Sequence, residues 1–212
     1  WMDPVRVYAD MRDPTICRDE QEAARYYLNR SMSGSDAWIA KAVHEQQELT
    51  DELVDPGTAI AVGFDGSIND DTTVLRGCRM SDGFLFKLGV WEKPEGAAGV
   101  GWSVPRLKVL QRIREVYGTY NVARGYFDPH EWRSDIDALA LEFNDDEVNP
   151  NRVVHFPTSR DVPMSVALDR LHSDLMQGTV WHDEDPVAAV HYGNAYVWRK
   201  GRYRLVRKEY PN

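Results

Sequence analysis

Thr58-Ala-Ile-Ala-Val-Gly-Phe-Asp65 decides the fold: it is a short apolar run of strand length that ends in an acid and is followed by the turn-rich Gly66-Ser-Ile-Asn-Asp-Asp71. A second run of the same make, Asn121-Val-Ala-Arg-Gly-Tyr-Phe-Asp128, is closed by Pro129. Between them, Thr72 to Met80 and Gly83 to Trp91 are strand-like and meet at Ser81-Asp82-Gly83, which has the composition of a tight hairpin turn. Three consecutive antiparallel strands are expected. Glu95 to Gly101 is a Gly/Ala loop, and Pro105 opens a helix with Leu107, Leu110, Ile113, Val116 and Tyr117 at helical spacing. Beyond Asp128 the pattern predicts a helix through Leu141, a strand over Val153 to Phe156, a helix over Val162 to Gln177, and two short strands over Ala195 to Val206 turning at Gly201. Strands first and alternation afterwards predict an α/β fold, a mixed sheet of five or more strands with helices on its faces.

Upstream, residues 1–56 are rich in charged and amide side chains, with helical spacing around Glu20 to Leu28 and again from Ala37 to Leu53, closed by Asp55-Pro56-Gly57. This reads as a helical arm or linker, 1–56, ahead of a folded domain, 57–212. The 212 residues, 42% of them hydrophobic, suffice for one good core and an extension. No run approaches the roughly 20 apolar residues of a bilayer-spanning helix and no basic-then-apolar leader occurs, so a soluble intracellular protein without membrane partners is expected. The first residue, Trp1, and the lack of a start-like sequence suggest a piece of something longer. Cys17 and Cys78 stand apart, outside any CxxC pattern, and read as small buried hydrophobes.

The formal charge of −9 argues against a general polyanion-binding surface, since phosphate binding by counterion release needs clustered cations. One local cluster does occur: Arg199, Lys200, Arg202, Arg204, Arg207 and Lys208. It reads equally as a solvated hairpin face or a DNA contact. Asp65 and Asp128 each follow an apolar strand, where open mixed sheets place catalytic groups. Ionised carboxylates at the ends of buried strands are costly unless paired or coordinated, and two that meet repel one another. A divalent cation answers both problems. Hard oxygen donors select Mg²⁺ or Mn²⁺. In phosphodiester hydrolysis two such ions about 3.5–4 Å apart flank the scissile phosphate. The plainer reading of a lone Asp after a strand is a cap or turn former.

An ordered set of motifs carries a family likeness: Gly63-Phe-Asp-Gly-Ser67 with Asp70-Asp-Thr72, Tyr126-Phe-Asp-Pro129 with Trp132, His182-Asp183, and His191-Tyr-Gly-Asn194. The set resembles the ribonuclease H-like nuclease half of bacteriophage large terminase subunits, from about Asp13 to the end, with Arg25-Tyr-Tyr-Leu-Asn29 similar to the segment leaving the terminase ATPase domain. The resemblance implies an endonuclease that cuts concatemeric double-stranded DNA during genome packaging, with two Mg²⁺ or Mn²⁺ ions. The partners it implies are the ATPase domain of the same chain, the portal and the small terminase subunit, in the host cytoplasm. It implies that Asp65 and Asp128 are metal ligands and that Asp183 lies at the site, binding metal or orienting a ligand. Asp183, Glu184 and Asp185 read equally as a solvated acidic turn. The family's Lys-Ile-Asp element, whose Asp is commonly the third ligand, does not occur before Asn212, and no P-loop motif is present.

Other residues take plain readings beside functional ones. Asp70 and Asp71 suit a loop or the metal vicinity, and His130 a helix start. His182 and His191 suit structural hydrogen bonds or a phosphate contact. Trp38, Trp91, Trp102, Trp132, Trp181 and Trp198 are expected to supply packing area. Two further functions compete with the nuclease: a non-catalytic DNA- or portal-docking module, and an actin-like or sugar-kinase ATPase, which Phe64-Asp-Gly-Ser67 fits loosely.

Overall fold

The computed structural model of the chain describes residues 4–13, 16, 37–69, 71–145 and 147–208. Cys17, Asp70, the helical spacing at Glu20 to Leu28 and the Arg25 to Asn29 segment lie outside them. The chain forms two compact units, Gln47–Asp185 and a second that joins Trp1–Gln46 to Pro186–Asn212.

The 47–185 unit is a seven-stranded mixed sheet with helices. Its elements are β1 (Glu48–Leu49), β2 (Ala59–Asp65), β3 (Thr73–Arg79), β4 (Leu85–Trp91), α3 (Arg106–Thr119), β5 (Asn121–Phe127), α4 (Arg133–Phe143), β6 (Val153–His155), α5 (Asp161–Gln177) and β7 (His182–Asp183). The strand order is β1-β7-β4-β3-β2-β5-β6, with β3 antiparallel to β2 and β4 and the remaining pairings parallel. The β3–β4 hairpin forms where Ser81-Asp82-Gly83 predicted it: Gly83 takes φ +77, which an L side chain rarely adopts, and Asp82 accepts the Phe84 N–H at 3.1 Å.

Period-two burial explains the strands. Ile60, Val62 and Phe64 of β2 face the core while their neighbours face outward, and Val122 and Phe127 of β5 join them. Helix α3 closes that face with Val109, Ile113, Val116 and Tyr117, a stripe at intervals of three to four residues. Leu107, expected on the stripe, is exposed and Val109 is buried instead, while Leu110, Ile113, Val116 and Tyr117 lie in or against the core as expected. Trp132, Ile136 and Leu139 extend the core under α4. Each such fully buried side chain contributes about 1.5–3 kcal/mol. The helical reading of Ala37 to Leu53 holds only for Lys41–Glu45; Glu48–Leu49 is instead an edge strand paired with β7.

In the second unit, α1 (Pro4–Asp10), α2 (Lys41–Glu45) and α6 (Pro186–Gly193) accompany the hairpin β8 (Ala195–Lys200) and β9 (Tyr203–Lys208), which turns at Gly201 with φ +60. Tyr192 stacks on Trp38 at 5.8 Å between ring centroids and tilts against His44 at 4.7 Å. No helix of the described residues is long and apolar enough to cross a membrane.

Candidate metal centre

Strands β2 and β5 are adjacent and parallel, and their register runs Gly63 to Tyr126 and Phe64 to Phe127. Asp65 and Asp128 are therefore the next pair at the same sheet edge, about 4.8 Å apart between strands. The Asp128 N–H continues the ladder by donating to the Phe64 carbonyl at 3.0 Å. Phe64 and Phe127 point into the core, with ring centroids 5.5 Å apart, which anchors both strand ends just before their acids.

Asp128 is 8% exposed. Its Oδ1 accepts the His130 backbone N–H at 3.1 Å, and its Oδ2 accepts the Thr158 hydroxyl. Both donors are neutral, and Asp128 forms no ion pair among the described residues. Asp65 is exposed at the tip of β2. Two acceptor-only carboxylates meeting at a strand edge fit a hard divalent ion, which fills its shell with water and phosphate oxygens around one or two carboxylates. Among the described residues no group of three His, Cys, Asp or Glu side chains stands ready to hold an ion.

The fold has solved counterparts. The large terminase of bacteriophage HK97 superposes with a TM-score of 0.60 at 20% identity, over 97% of this chain and 46% of that one. The large terminase nuclease of thermophilic phage G20c with bound magnesium superposes at 0.56 and 14% identity, over 84% of this chain and 91% of that one. The fold is that of a phage large-terminase nuclease. In sequence, the Gene 13 protein of Mycobacterium phage D29 is 28% identical over 189 residues, 82% of this chain and 31% of that protein. The chain thus spans about a third of the curated relatives it matches. No family model matches the chain. The likeness expected from the strand-tip motifs is borne out at the level of fold.

Within this terminase-nuclease fold Asp183 stands elsewhere. His182 is level with Leu85, Cys78 and Ala61 across β7, β4, β3 and β2. That puts Asp183 three strand spacings, about 14 Å, to the side of β2 and about 10 Å short of its tip. Its carboxylate is also engaged: Oδ1 takes the Arg76 guanidinium at 2.7 Å and Oδ2 the Lys87 backbone N–H at 2.6 Å. The expectation that Asp183 shares the Asp65–Asp128 site is corrected on both counts. Neighbouring Asp185 is 5% exposed and takes Arg76 at 2.5 Å and the Lys87 ammonium at 3.3 Å. The acidic segment is a latch holding β7 to the sheet rather than a solvated turn.

The remaining candidates separate similarly. His182 is buried, and its Nδ1 lies 2.9 Å from the Asp183 carbonyl. His130 is exposed and touches the site through its backbone. His191 belongs to the last turn of α6 in the other unit. On the β8–β9 hairpin, Arg199 and Arg204 are cross-strand partners, Lys200 and Arg207 lie over Trp198, and Arg202 lies over Tyr203. Trp132 is core, as expected, and the Arg106 guanidinium lies 4.4 Å above its ring. Sequence reading passed over Thr158, Glu131 and Arg106. Their parts depend on partners distant in the chain, and no local spacing signals them.

Proposed function

We propose that this chain is the DNA-cutting domain of a phage packaging terminase, hydrolysing double-stranded DNA with two divalent ions held by Asp65 and Asp128. The observation carrying the reading is Asp128: a nearly buried carboxylate, in register beside Asp65, whose hydrogen bonds come from a hydroxyl and an amide instead of a protein cation. Burial of such a charge is unfavourable unless a cation completes it. When bound, Mg²⁺ or Mn²⁺ supplies Lewis acidity and an activated water at the scissile phosphate. The chain supplies position: Thr158 and the His130 amide fix the Asp128 carboxylate, and the β2–β5 ladder fixes its distance from Asp65. Further oxygen donors come from water, from the phosphate or from residues outside those described.

In this reading Arg199, Lys200, Arg202 and Arg204 offer cations to the DNA backbone, and of the expected arm, 1–56, the part ahead of Gln47 comes from a preceding ATPase domain, since Glu48–Leu49 pairs within the sheet. The portal and the small terminase subunit are the partners, in the host cytoplasm. The test is plasmid cleavage with Mn²⁺, with and without EDTA, by the wild type, Asp65→Ala and Asp128→Ala. Cutting that needs both the metal and both acids supports the nuclease. Absent or metal-independent cutting supports the non-catalytic docking module, a reading that the absence of a third nearby acid among the described residues favours.

A further inference from the structure

We propose that Glu131 is a positioning residue that ties the loop after Asp65 to the loop after Asp128 and so sets the separation of the two carboxylates. The proposal rests on the metal-site reading above. Glu131 takes φ +59, a conformation in which Gly or Asn is at ease and a glutamate is not. It is also exposed, so packing does not explain the residue. Its side chain does: Oε2 accepts the Ile68 backbone N–H at 3.1 Å, across 63 residues of chain. Ile68 lies three positions after Asp65 and Glu131 three after Asp128, so this hydrogen bond bridges the two loops at equal distance from both acids.

Both ends of the bridge are held. The Glu131 carbonyl accepts Arg106 Nη2 at 2.9 Å, while the same guanidinium pairs with Asp135 in the first turn of α4 and covers Trp132. The Ile68 carbonyl accepts the Val104 N–H at 2.8 Å, at the entrance to α3. Beneath the bridge, Gly66 fits so closely that a Cβ would collide with the Trp132 indole nitrogen and, at 2.7 Å, with Phe64. A strained residue held by two separate hydrogen bonds beside a proposed site is the pattern of stored positioning.

The experiment is a thermal-shift titration with MnCl₂ on the 212-residue chain, comparing wild type with D128N, E131A, E131Q and E131G. Glu131→Gly removes the carboxylate and relieves the positive φ together, which keeps a foldable variant in the set. Wild type is expected to show a saturable Mn²⁺ shift that D128N lacks. E131A and E131G are expected to need about tenfold more Mn²⁺ at half-saturation, the scale on which outer partners of metal ligands act. E131Q, whose amide oxygen still accepts the Ile68 N–H, is expected within about twofold of wild type. No shift in wild type, or an equal shift in D128N, would sink the metal reading itself. A wild-type-like midpoint in E131A or E131G, with D128N silent, would overturn the positioning proposal alone; so would E131Q as weak as E131A, because charge rather than the bridge would then matter.

Discussion

Asp128 and Asp185 are buried almost equally, at 8% and 5% exposure, yet their surroundings answer the charge in opposite ways. Asp185 lies between Arg76 and Lys87, with Asp183 sharing the same guanidinium. Asp128 receives a hydroxyl and a backbone amide. A carboxylate deep in a protein needs compensation in either case. One sheet therefore treats its two buried acids differently: Asp185 has internal cations, and in the proposed reading the cation for Asp128 comes from outside. This contrast, rather than the count of acids, separates the latch from the site.

The largest test of the contrast exchanges charge for amide on each side. Asp128→Asn is expected to lower Mn²⁺-dependent cleavage about a thousandfold or more, since several kcal/mol of charge stabilisation are removed. Its metal-free stability should change by less than about 1 kcal/mol, because relief of repulsion from Asp65 offsets a weaker acceptor. Asp185→Asn should leave cleavage in place and lose stability instead. Denaturant melts beside a plasmid assay read both, and a reversed pattern would break the comparison.

Next in size is the latch cation. Arg76→Ala takes the shared guanidinium from Asp183 and Asp185, and removing one partner of a buried pair costs about 3–5 kcal/mol. Urea unfolding should show that loss. An Arg76→Ala variant as stable as wild type would mean that the acidic pair is already solvated and that the latch does not exist.

A third substitution probes packing where the site relies on no cation. Gly66→Ala places a methyl against Trp132 and Phe64. Overpacking of this kind costs about 1–3 kcal/mol, and relief requires the loop after Asp65 to move. Cleavage should fall more than stability alone explains. Activity intact at full stability would show that the loop tolerates displacement.

Much of this was legible in the sequence, for identifiable reasons. The runs ending in Asp65 and Asp128 matched strands within two residues because an apolar core face and a terminal acid are local signals. The hairpin at Asp82-Gly83 was equally local. β1 and β7 escaped because two residues are too few to show any period. Asp183 entered as a site acid through the resemblance of His182-Asp183 to the family's motif, and its acidic neighbours suggested only a solvated turn. What settles its role is Arg76, 107 positions upstream. Thr158 and Glu131 escaped for the same reason, their partners being 30 and 63 positions away.

The smallest effect extends the comparison to the surface. Asp82 is compensated by Arg79, as Asp185 is by Arg76, but its side chain is 46% exposed. The hydrogen bond from Arg79 holds the Asp82 carboxyl below its ordinary range, helped by the Phe84 N–H and opposed by partial burial. A group whose folded-state pKa is depressed adds stability above its unfolded value, about 3.9, and loses it as pH falls through the lower folded value. Asp82→Asn should therefore melt slightly below wild type at neutral pH, and the two melting temperatures should converge in acid. Solvent screening keeps the gap small, and Glu52, 2.7 Å from Arg79, remains as a second partner for that guanidinium. A gap as wide as that of Arg76→Ala would show that exposure does not govern the worth of compensation here; a gap that persists once the Asp82 carboxyl is protonated would assign it to the turn geometry of Asp82 instead of its charge.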